Sequence, residues 1–270
     1  MDHFELDTER FSSRLVDHTV VVHLKSLALE IVTDVDVKTN FVDHLKLVND
    51  SPDARGYVQI NDSGWDSQNA VDGFVEFILR NDVPHVSRGS YHGMFHDVIA
   101  ARFRHSIGDI LFRMIKLKKP AIAGLQGQIS GEYLGLSLAF DSRIATADTT
   151  VSFDNARTGL PASPGVTYLM PRYIGLGKTM SLVQRGATID ADEALSLGLI
   201  SDIVDDPEEL ENRCVKSIRD VTADNPHVAS FHRQNIFPSP SEISIALERY
   251  YEAAAKSILI LRSNHDSRNQ

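Results

Sequence analysis

Two histidines and a tyrosine stand at the beginning of a long helical pattern, at Tyr91, His92 and His96. Histidine changes charge near neutral pH, so these residues could move a proton to or from a substrate. The two histidines are four positions apart, a spacing that on a helix can place both on one metal ion. No Asp or Glu completes a zinc motif beside them, so we predict no metal site. Because the chain has 11 histidines, a solvated or core position is the alternative for each of them.

Short strands alternate with helices in the first half of the chain, and helices dominate after residue 165. Apolar and β-branched runs predict strands over residues 18–24, 55–60, 121–125, 143–145, 150–153 and 199–204. Helical spacing of apolar residues predicts helices over 41–48, 69–79, 95–117, 190–198, 207–221 and 241–261. A turn over 127–131 leads into a further helix. No linker of low complexity divides the chain, so we predict an α/β core domain over 1–205 and a C-terminal helical region over 206–270.

The overall charge excludes some classes of partner. The chain has 27 Lys and Arg residues against 37 Asp and Glu residues, a formal net charge of −10. No basic patch dominates, so we expect no nucleic-acid and no membrane partner. The single cysteine, Cys214, allows neither an internal disulfide nor a cysteine metal site. The acidic N-terminus lacks the apolar core of a signal peptide, so we expect a cytoplasmic protein.

The stretch from Pro120 to Val204 carries the most specific motifs in the sequence. In order they are PAIAGLQG (120–127), Gly131, AFDSRIA (139–145), Phe153, Gly159-Leu160, Pro164-Gly165, LMPRYIG (169–175) and GATIDADEALSLGLI (186–200). In order and spacing this stretch resembles the enoyl-CoA hydratase/isomerase (crotonase) family. The resemblance implies a crotonase-like spiral of ββα repeats, with C-terminal trimerisation helices and assembly into a homotrimer or hexamer.

The resemblance also implies chemistry on an acyl thioester, with coenzyme A as part of the substrate and no separate cofactor. Two backbone N–H groups stabilise the thioester enolate in this family, and the matching positions here are Ser67 and Glu132. Glu132 begins a predicted helix, where N–H groups face an anion, although the family usually has glycine there. A carboxylate that merely favours the first helical turn is the alternative for its side chain. The neighbouring substrate-binding candidates are Trp65, Gln68, Asn69 and Gly131.

The two glutamates of the family's hydratases fall, by count, on Gly135 and Arg157. Glycine cannot transfer a proton and arginine stays protonated, so we predict that standard hydration is lost. Arg157 could hold a substrate carboxylate in bidentate geometry, or it could form a structural ion pair with Asp154. Asp154 is itself a candidate acid or base, and Tyr168 could reach the pocket. The resemblance places Tyr91, His92 and His96 in the region that covers the acyl group.

Three functions follow as hypotheses. The first is an enzyme that forms an enolate from an acyl thioester and decarboxylates, isomerises or cleaves a C–C bond. A decarboxylase fits the missing base, because it needs only enolate stabilisation and a proton donor. The alternatives are a β-diketone C–C hydrolase of the same superfamily and a non-catalytic binding subunit. The polar tail over 262–270 leaves an acyl-carrier-protein thioester open beside acyl-CoA.

Overall fold

The computed structural model describes residues 3–25, 35–62, 67–81 and 92–268. The strands are β1 (Leu6–Asp7), β2 (Phe11–Val16), β3 (Thr19–Leu24), β4 (Gly56–Asn61), β5 (Ala121–Leu125), β6 (Gln128–Ser130), β7 (Ser142–Thr146), β8 (Thr150–Ser152), β9 (Thr188–Asp190) and β10 (Asp202–Val204). A seven-stranded sheet has the order β1-β2-β3-β4-β5-β7-β10, and a three-stranded sheet has the order β6-β8-β9.

The helices are α1 (Val35–Asp50), α2 (Ser67–Asn81), α3 (His92–Phe103), α4 (Asp109–Lys116), α5 (Gly131–Ser137), α6 (Asn155–Thr158), α7 (Met170–Ile174), α8 (Leu176–Arg185), α9 (Ala191–Ser196), α10 (Leu210–Thr222), α11 (Pro226–Ile236) and α12 (Pro240–Arg268). Two π-helical segments cover Arg104–Gly108 and Gly165–Leu169, and a 3-10 turn covers Pro207–Glu209. Among the described residues, no helix is both long enough and apolar enough to cross a membrane.

The main sheet combines one hairpin with a parallel array. β2 and β3 are antiparallel, and the turn between them places Asp17 and His18 at φ values of 47° and 63°. These residue types tolerate positive φ better than most, which suits a two-residue hairpin turn. β3, β4, β5, β7 and β10 are parallel neighbours, with helices between them along the chain. The α/β class predicted from the sequence is therefore confirmed.

Helices cover both faces of the main sheet. On one face, Cys214 and Ile218 of α10 pack against Val58 and Ile122. This contact is close, because a Cβ atom added to Gly56 would lie 2.2 Å from Ile218 Cγ2. On the other face a larger apolar cluster includes residues of α1, α3, α4, α5 and α12.

The structure corrects several predicted boundaries. Residues 128–130, predicted as part of a turn, form β6, because they pair in parallel with β8. The strand predicted over 199–204 is limited to β10 (Asp202–Val204), and β2 and α11 are absent from the predicted elements.

The long helix predicted over 95–117 is divided into α3 and α4 by the π-helical segment. Gly108 in this segment faces α12, and a Cβ atom on it would lie 1.9 Å from Tyr251 Oη. A helix more than 100 residues later in the chain thus contacts the segment, and local apolar spacing cannot reveal such a contact.

His44 on α1 makes the stability of the fold depend on pH. Its side chain is buried between the rings of Phe4 and Phe11, with centroids 6.5 and 5.9 Å away, and neither ring nitrogen has a hydrogen-bond partner among the described residues. Burial lowers the pKa of His44 from 6.5 to about 4. Between pH 6.5 and about 4 the unfolded chain therefore binds a proton at His44 that the folded protein does not bind. The free energy of unfolding falls as the pH decreases through this range.

We expect His44 to account for a loss of about 3 kcal/mol in the free energy of unfolding between pH 7 and pH 4. His44→Leu should remove this part of the pH dependence, which denaturant unfolding at several pH values would measure. His227→Leu, at an exposed histidine, is the control and should keep the wild-type dependence. Parallel curves for wild type and His44→Leu would contradict the prediction.

Candidate active site

The carboxyl ends of β4 and β5 are joined by Asn61 and Gln126. The backbone N–H of Gln126 donates to Asn61 Oδ1 at 3.1 Å, and Asn61 Nδ2 donates to the Gln126 carbonyl at 2.8 Å. In addition, Gln126 Nε2 donates to the Asn61 carbonyl oxygen at 2.5 Å. Ligands of parallel α/β sheets bind at the carboxyl ends of strands, so this pair fixes the edge beside which a site is expected. The sequence signal for it is a polar residue at the end of one buried strand and directly after the next.

Helix α5 begins directly after β6 with a capped first turn. Ser130 is the N-cap residue, and its Oγ accepts the backbone N–H of Tyr133 at 3.2 Å. Gly131 follows and packs against an aromatic ring, because a Cβ atom on it would lie 2.6 Å from Phe153 Cδ1. A side chain at residue 131 would therefore push the helix away from Phe153.

The Glu132 carboxylate points towards the segment that contains α6. Oε1 accepts Asn155 Nδ2 at 2.7 Å, and the two oxygens lie 3.1 and 3.0 Å from the backbone nitrogen of Ser163, which donates to both. Burial raises the pKa of Glu132, and the hydrogen bonds from Ser163 and Asn155 oppose that rise. The family resemblance predicts a role for the backbone N–H of Glu132, and the partners of its side chain are visible only in the structure.

A small cavity lies beside Glu132. Its volume is about 10 Å³, close to the space that one water molecule needs. The lining residues are Ser130, Gly131, Glu132, Ser152, Asp154, Asn155 and Thr158. Three predicted site residues, Gly131, Glu132 and Asp154, thus line one cavity.

Gly135 lies where its helix contacts the second π-helical segment. A Cβ atom on Gly135 would lie 2.9 Å from both the backbone nitrogen and Cγ2 of Val166. Seen from the other side, a Cβ atom on Gly165 would lie 2.3 Å from the carbonyl carbon and oxygen of Gly135. Since the two backbones touch, there is no room for a side chain at position 135.

Arg157 is exposed and forms two ion pairs. Its Nε donates to Asp154 Oδ2 at 2.9 Å. Its terminal nitrogens meet the Asp72 carboxylate at 2.8 and 3.1 Å, in a bidentate arrangement that joins α6 to α2. The hydrogen bond with Asp72, more than the pairing with Asp154, raises the pKa of Arg157. The pairing with Asp154 agrees with the structural alternative stated above, and the pairing with Asp72 is new.

The C-terminal helix α12 covers this region. Tyr250 is buried and packs edge-on against Phe103, with ring centroids 5.6 Å apart. Burial, and after it the nearby charge of Glu132, raises the pKa of Tyr250. Further along, Leu261 lies over Gly159, where a Cβ atom would be 2.7 Å from Leu261 Cδ2. The same helix therefore reaches from Glu132 to the segment after α6.

The sequence profile of the enoyl-CoA hydratase/isomerase family matches residues 90–257, which is more than half of the chain. The chain belongs to the enoyl-CoA hydratase/isomerase family. The match includes α5, the Gly135–Gly165 contact and the segment with Arg157.

Curated members of this family share about a third of their residues with the matched part of the chain. A probable enoyl-CoA hydratase of Mycobacterium tuberculosis is 32% identical over 133 residues, which are 49% of this chain and 45% of the relative. The human peroxisomal bifunctional enzyme is 33% identical over 119 residues, which are 44% of this chain and 16% of that enzyme. The chain thus matches less than half the length of these relatives.

Solved structures of enoyl-CoA hydratase/isomerase proteins share the fold. An enoyl-CoA hydratase from Bacillus halodurans superimposes with a TM-score of 0.70 at 17% identity, covering 92% of this chain and 94% of that chain. A putative enoyl-CoA hydratase/isomerase from Acinetobacter baumannii gives 0.74 at 15% identity, over 94% and 95% of the two chains. The predicted crotonase-like fold is confirmed. The trimerisation helices, the homotrimer or hexamer, the cytoplasmic location and the division at residue 205 stay predictions.

The other residues predicted from the enoyl-CoA hydratase/isomerase resemblance lie, where the structure describes them, on elements other than α5. His96 turns towards α12, with Nε2 3.4 Å from Glu252 Oε2, and the ring of Tyr168 stacks on the Arg172 guanidinium at 3.7 Å. Among the described residues, the hydrogen-bond partners of the Glu132 side chain are Asn155 and Ser163 instead. The first turn of α2 contains Ser67, Gln68 and Asn69, and His92 begins α3. Trp65 and Tyr91 lie outside the described residues.

Proposed function

We propose that this chain acts on an acyl thioester, held as acyl-CoA, and stabilises its enolate without carrying out standard enoyl hydration. The reactions that fit are decarboxylation, isomerisation and C–C cleavage. Family membership and the enoyl-CoA hydratase names of its relatives support the thioester substrate. The observation that carries the proposal is the contact between Gly135 and Gly165, because it closes the position of one hydratase glutamate to any side chain.

The second glutamate position supports the same conclusion. Arg157 remains protonated and lies in ion pairs with Asp72 and Asp154, so it cannot activate water as a base. An enolate formed by loss of a carboxylate needs no base, only electrostatic stabilisation and a proton donor. Of the three reactions, decarboxylation is therefore favoured.

The role of Arg157 as a reader of a substrate carboxylate stays a prediction. Its guanidinium already holds the Asp72 carboxylate in bidentate geometry, so a substrate carboxylate would have to replace Asp72. Asp72→Asn would weaken this competitor and leave the guanidinium available. A dicarboxylic acyl thioester should then bind more tightly to Asp72→Asn than to wild type.

Thermal unfolding against a ligand panel tests the proposal. The panel contains free coenzyme A, acetyl-, crotonyl-, malonyl- and glutaryl-CoA, and a cyclic β-diketone. A ligand at 100 times its Kd adds ~2.7 kcal/mol of stability, which for a chain of this size raises Tm by roughly 5–10 °C. We expect acyl-CoAs to raise Tm more than free coenzyme A does. In Asp72→Asn, malonyl- and glutaryl-CoA should give the largest rise in Tm. In Arg157→Ala, these two ligands should raise Tm no more than the other acyl-CoAs.

Each other outcome has a meaning. If monocarboxylic and dicarboxylic thioesters raise Tm equally in wild type, Asp72→Asn and Arg157→Ala, the thioester substrate stands and Arg157 does not bind a substrate carboxylate. A rise in Tm with the diketone and with no acyl-CoA would favour the hypothesis of a β-diketone hydrolase. A flat response to every compound on the panel would contradict acyl-CoA binding.

A further inference from the structure

We propose that the Glu132 side chain is the proton-transfer group of this site and protonates the α-carbon of the enolate after decarboxylation of a malonyl-type thioester. The inference rests on the proposed enolate chemistry and assigns it a proton donor and a substrate class. It differs from the role given to this residue by the family resemblance, which concerns its backbone N–H alone.

The Glu132 carboxyl group lies at the segment where hydratases of the family carry a catalytic glutamate. The segment over 153–165 carries Arg157 where hydratases have a glutamate, and this arginine turns outwards to Asp72. The carboxylate that does contact the segment comes from Glu132, which is hydrogen-bonded to Asn155 at 2.7 Å and to the backbone of Ser163. A carboxyl group is thus present at this segment, although it is supplied by α5.

The charges around Glu132 favour the protonated form of its carboxyl group. Two carboxyl groups line the small cavity, and the one on Asp154 is paired with Arg157 at 2.9 Å. Among the described residues no Lys, Arg or His forms an ion pair with Glu132, and its hydrogen-bond donors, the Asn155 amide and the backbone and side chain of Ser163, are neutral. A carboxyl group that is desolvated without a cation favours its protonated form, in agreement with the raised pKa of Glu132.

The surroundings of Glu132 suit both the protonated and the ionised form of its carboxyl group. The protonated carboxyl can give its proton, and the carboxylate that remains accepts the bonds from Asn155 and Ser163. The adjacent cavity has space for about one water molecule, through which the proton can be replaced. Tyr250 of α12, which is buried, lies near Glu132 on the side of the C-terminal helix.

The reaction balances without a further reactant. In a 2-carboxyacyl thioester the bond between the α-carbon and the carboxylate breaks, CO2 leaves, and the electron pair passes into the thioester enolate. The enolate then takes the proton of the Glu132 carboxyl group at its α-carbon. Water returns one proton to the Glu132 carboxylate, so that the net reaction consumes one proton and releases one CO2.

Glu132→Gln tests the role, because glutamine keeps the backbone N–H and an oxygen for Asn155 and Ser163. With methylmalonyl-CoA in D2O, we expect wild type to add one deuterium to a single face of the α-carbon. In the variant we expect kcat to fall about 100-fold or more, which is the usual contribution of a general acid, with KM unchanged. Deuterium should then reach both faces, and the fall in kcat as pH rises above the pKa of the acid should disappear.

Glu193→Gln is the matched control, since Glu193 is an exposed first-turn glutamate of α9, and it should behave as wild type. Unchanged rate, stereochemistry and pH profile in Glu132→Gln would overturn the inference and leave the proposed function standing. An increase in KM alone would also overturn it, because the side chain would then only position the segment. No turnover of any acyl thioester by wild type would remove the proposed function and the inference together.

Discussion

Gly135→Glu, which places a glutamate where the family's hydratases have one, should destabilise the protein and should not create hydratase activity. The first side-chain atom would already lie 2.9 Å from the backbone nitrogen of Val166. Because the obstacle is backbone, the two segments must separate to admit a side chain, and overpacking of this kind costs about 3 kcal/mol or more. For a chain of this size the expected fall in Tm is roughly 6–12 °C.

Two smaller substitutions make the test specific. Gly165→Ala should be at least as harmful, because its Cβ atom would lie 2.3 Å from the Gly135 carbonyl group. Gly73→Ala on α2 is the matched control, since no atom of the described residues lies within 4 Å of the added Cβ atom. In an exposed helix interior this change should raise stability by about 0.5–1 kcal/mol. A stable Gly135→Glu variant that hydrates crotonyl-CoA would contradict both the geometry and the proposed function.

Arg233→Met should produce a loss of stability of similar or larger size. The Arg233 side chain is 1% exposed and forms an ion pair with Asp141. It also donates to the carbonyl oxygens of Met114, Leu117 and Ala139 at 2.6, 2.7 and 2.8 Å. One guanidinium thus joins the end of α4 to the chain that follows α5, so its removal leaves three carbonyl acceptors without this buried donor. Each buried acceptor that loses its donor costs ~1–3 kcal/mol.

Lysine should not rescue this position. Its single ammonium group cannot reproduce the planar set of donors that reaches four acceptors at once, so Arg233→Lys should unfold nearly as easily as Arg233→Met. Arg219→Met is the control, because Arg219 is 57% exposed and its ion pair with Asp17 spans 3.7 Å. Exposed pairs contribute less than about 1 kcal/mol. Equal denaturant midpoints for Arg233→Met and Arg219→Met would contradict the assignment.

Features that depend on neighbouring residues could be predicted from the sequence. The capping box at the beginning of α9 is an example, because Asp190 Oδ1 accepts the Glu193 N–H at 2.8 Å, as the pattern indicates. The parallel strands follow in the same way from short apolar runs. The pairing of Arg157 with Asp154, three residues apart, was among the stated alternatives.

The contacts that define the candidate site join distant parts of the chain. Glu132 meets residues 23 and 31 positions away, and Asn61 meets Gln126 across 65 positions. The contact of Gly135 with Gly165 and that of Arg233 with Ala139 are also non-local. Local patterns contain no information on such pairs, so the resemblance indicated which positions to inspect, and the structure supplied their contacts.

The most direct test of the central claim is product analysis on wild-type protein incubated with crotonyl-CoA and methylmalonyl-CoA in one mixture. The account predicts that methylmalonyl-CoA is converted to CO2 and propionyl-CoA while crotonyl-CoA remains unhydrated. Formation of 3-hydroxybutyryl-CoA with no release of CO2 would contradict it, because hydration would then proceed without either glutamate of the family.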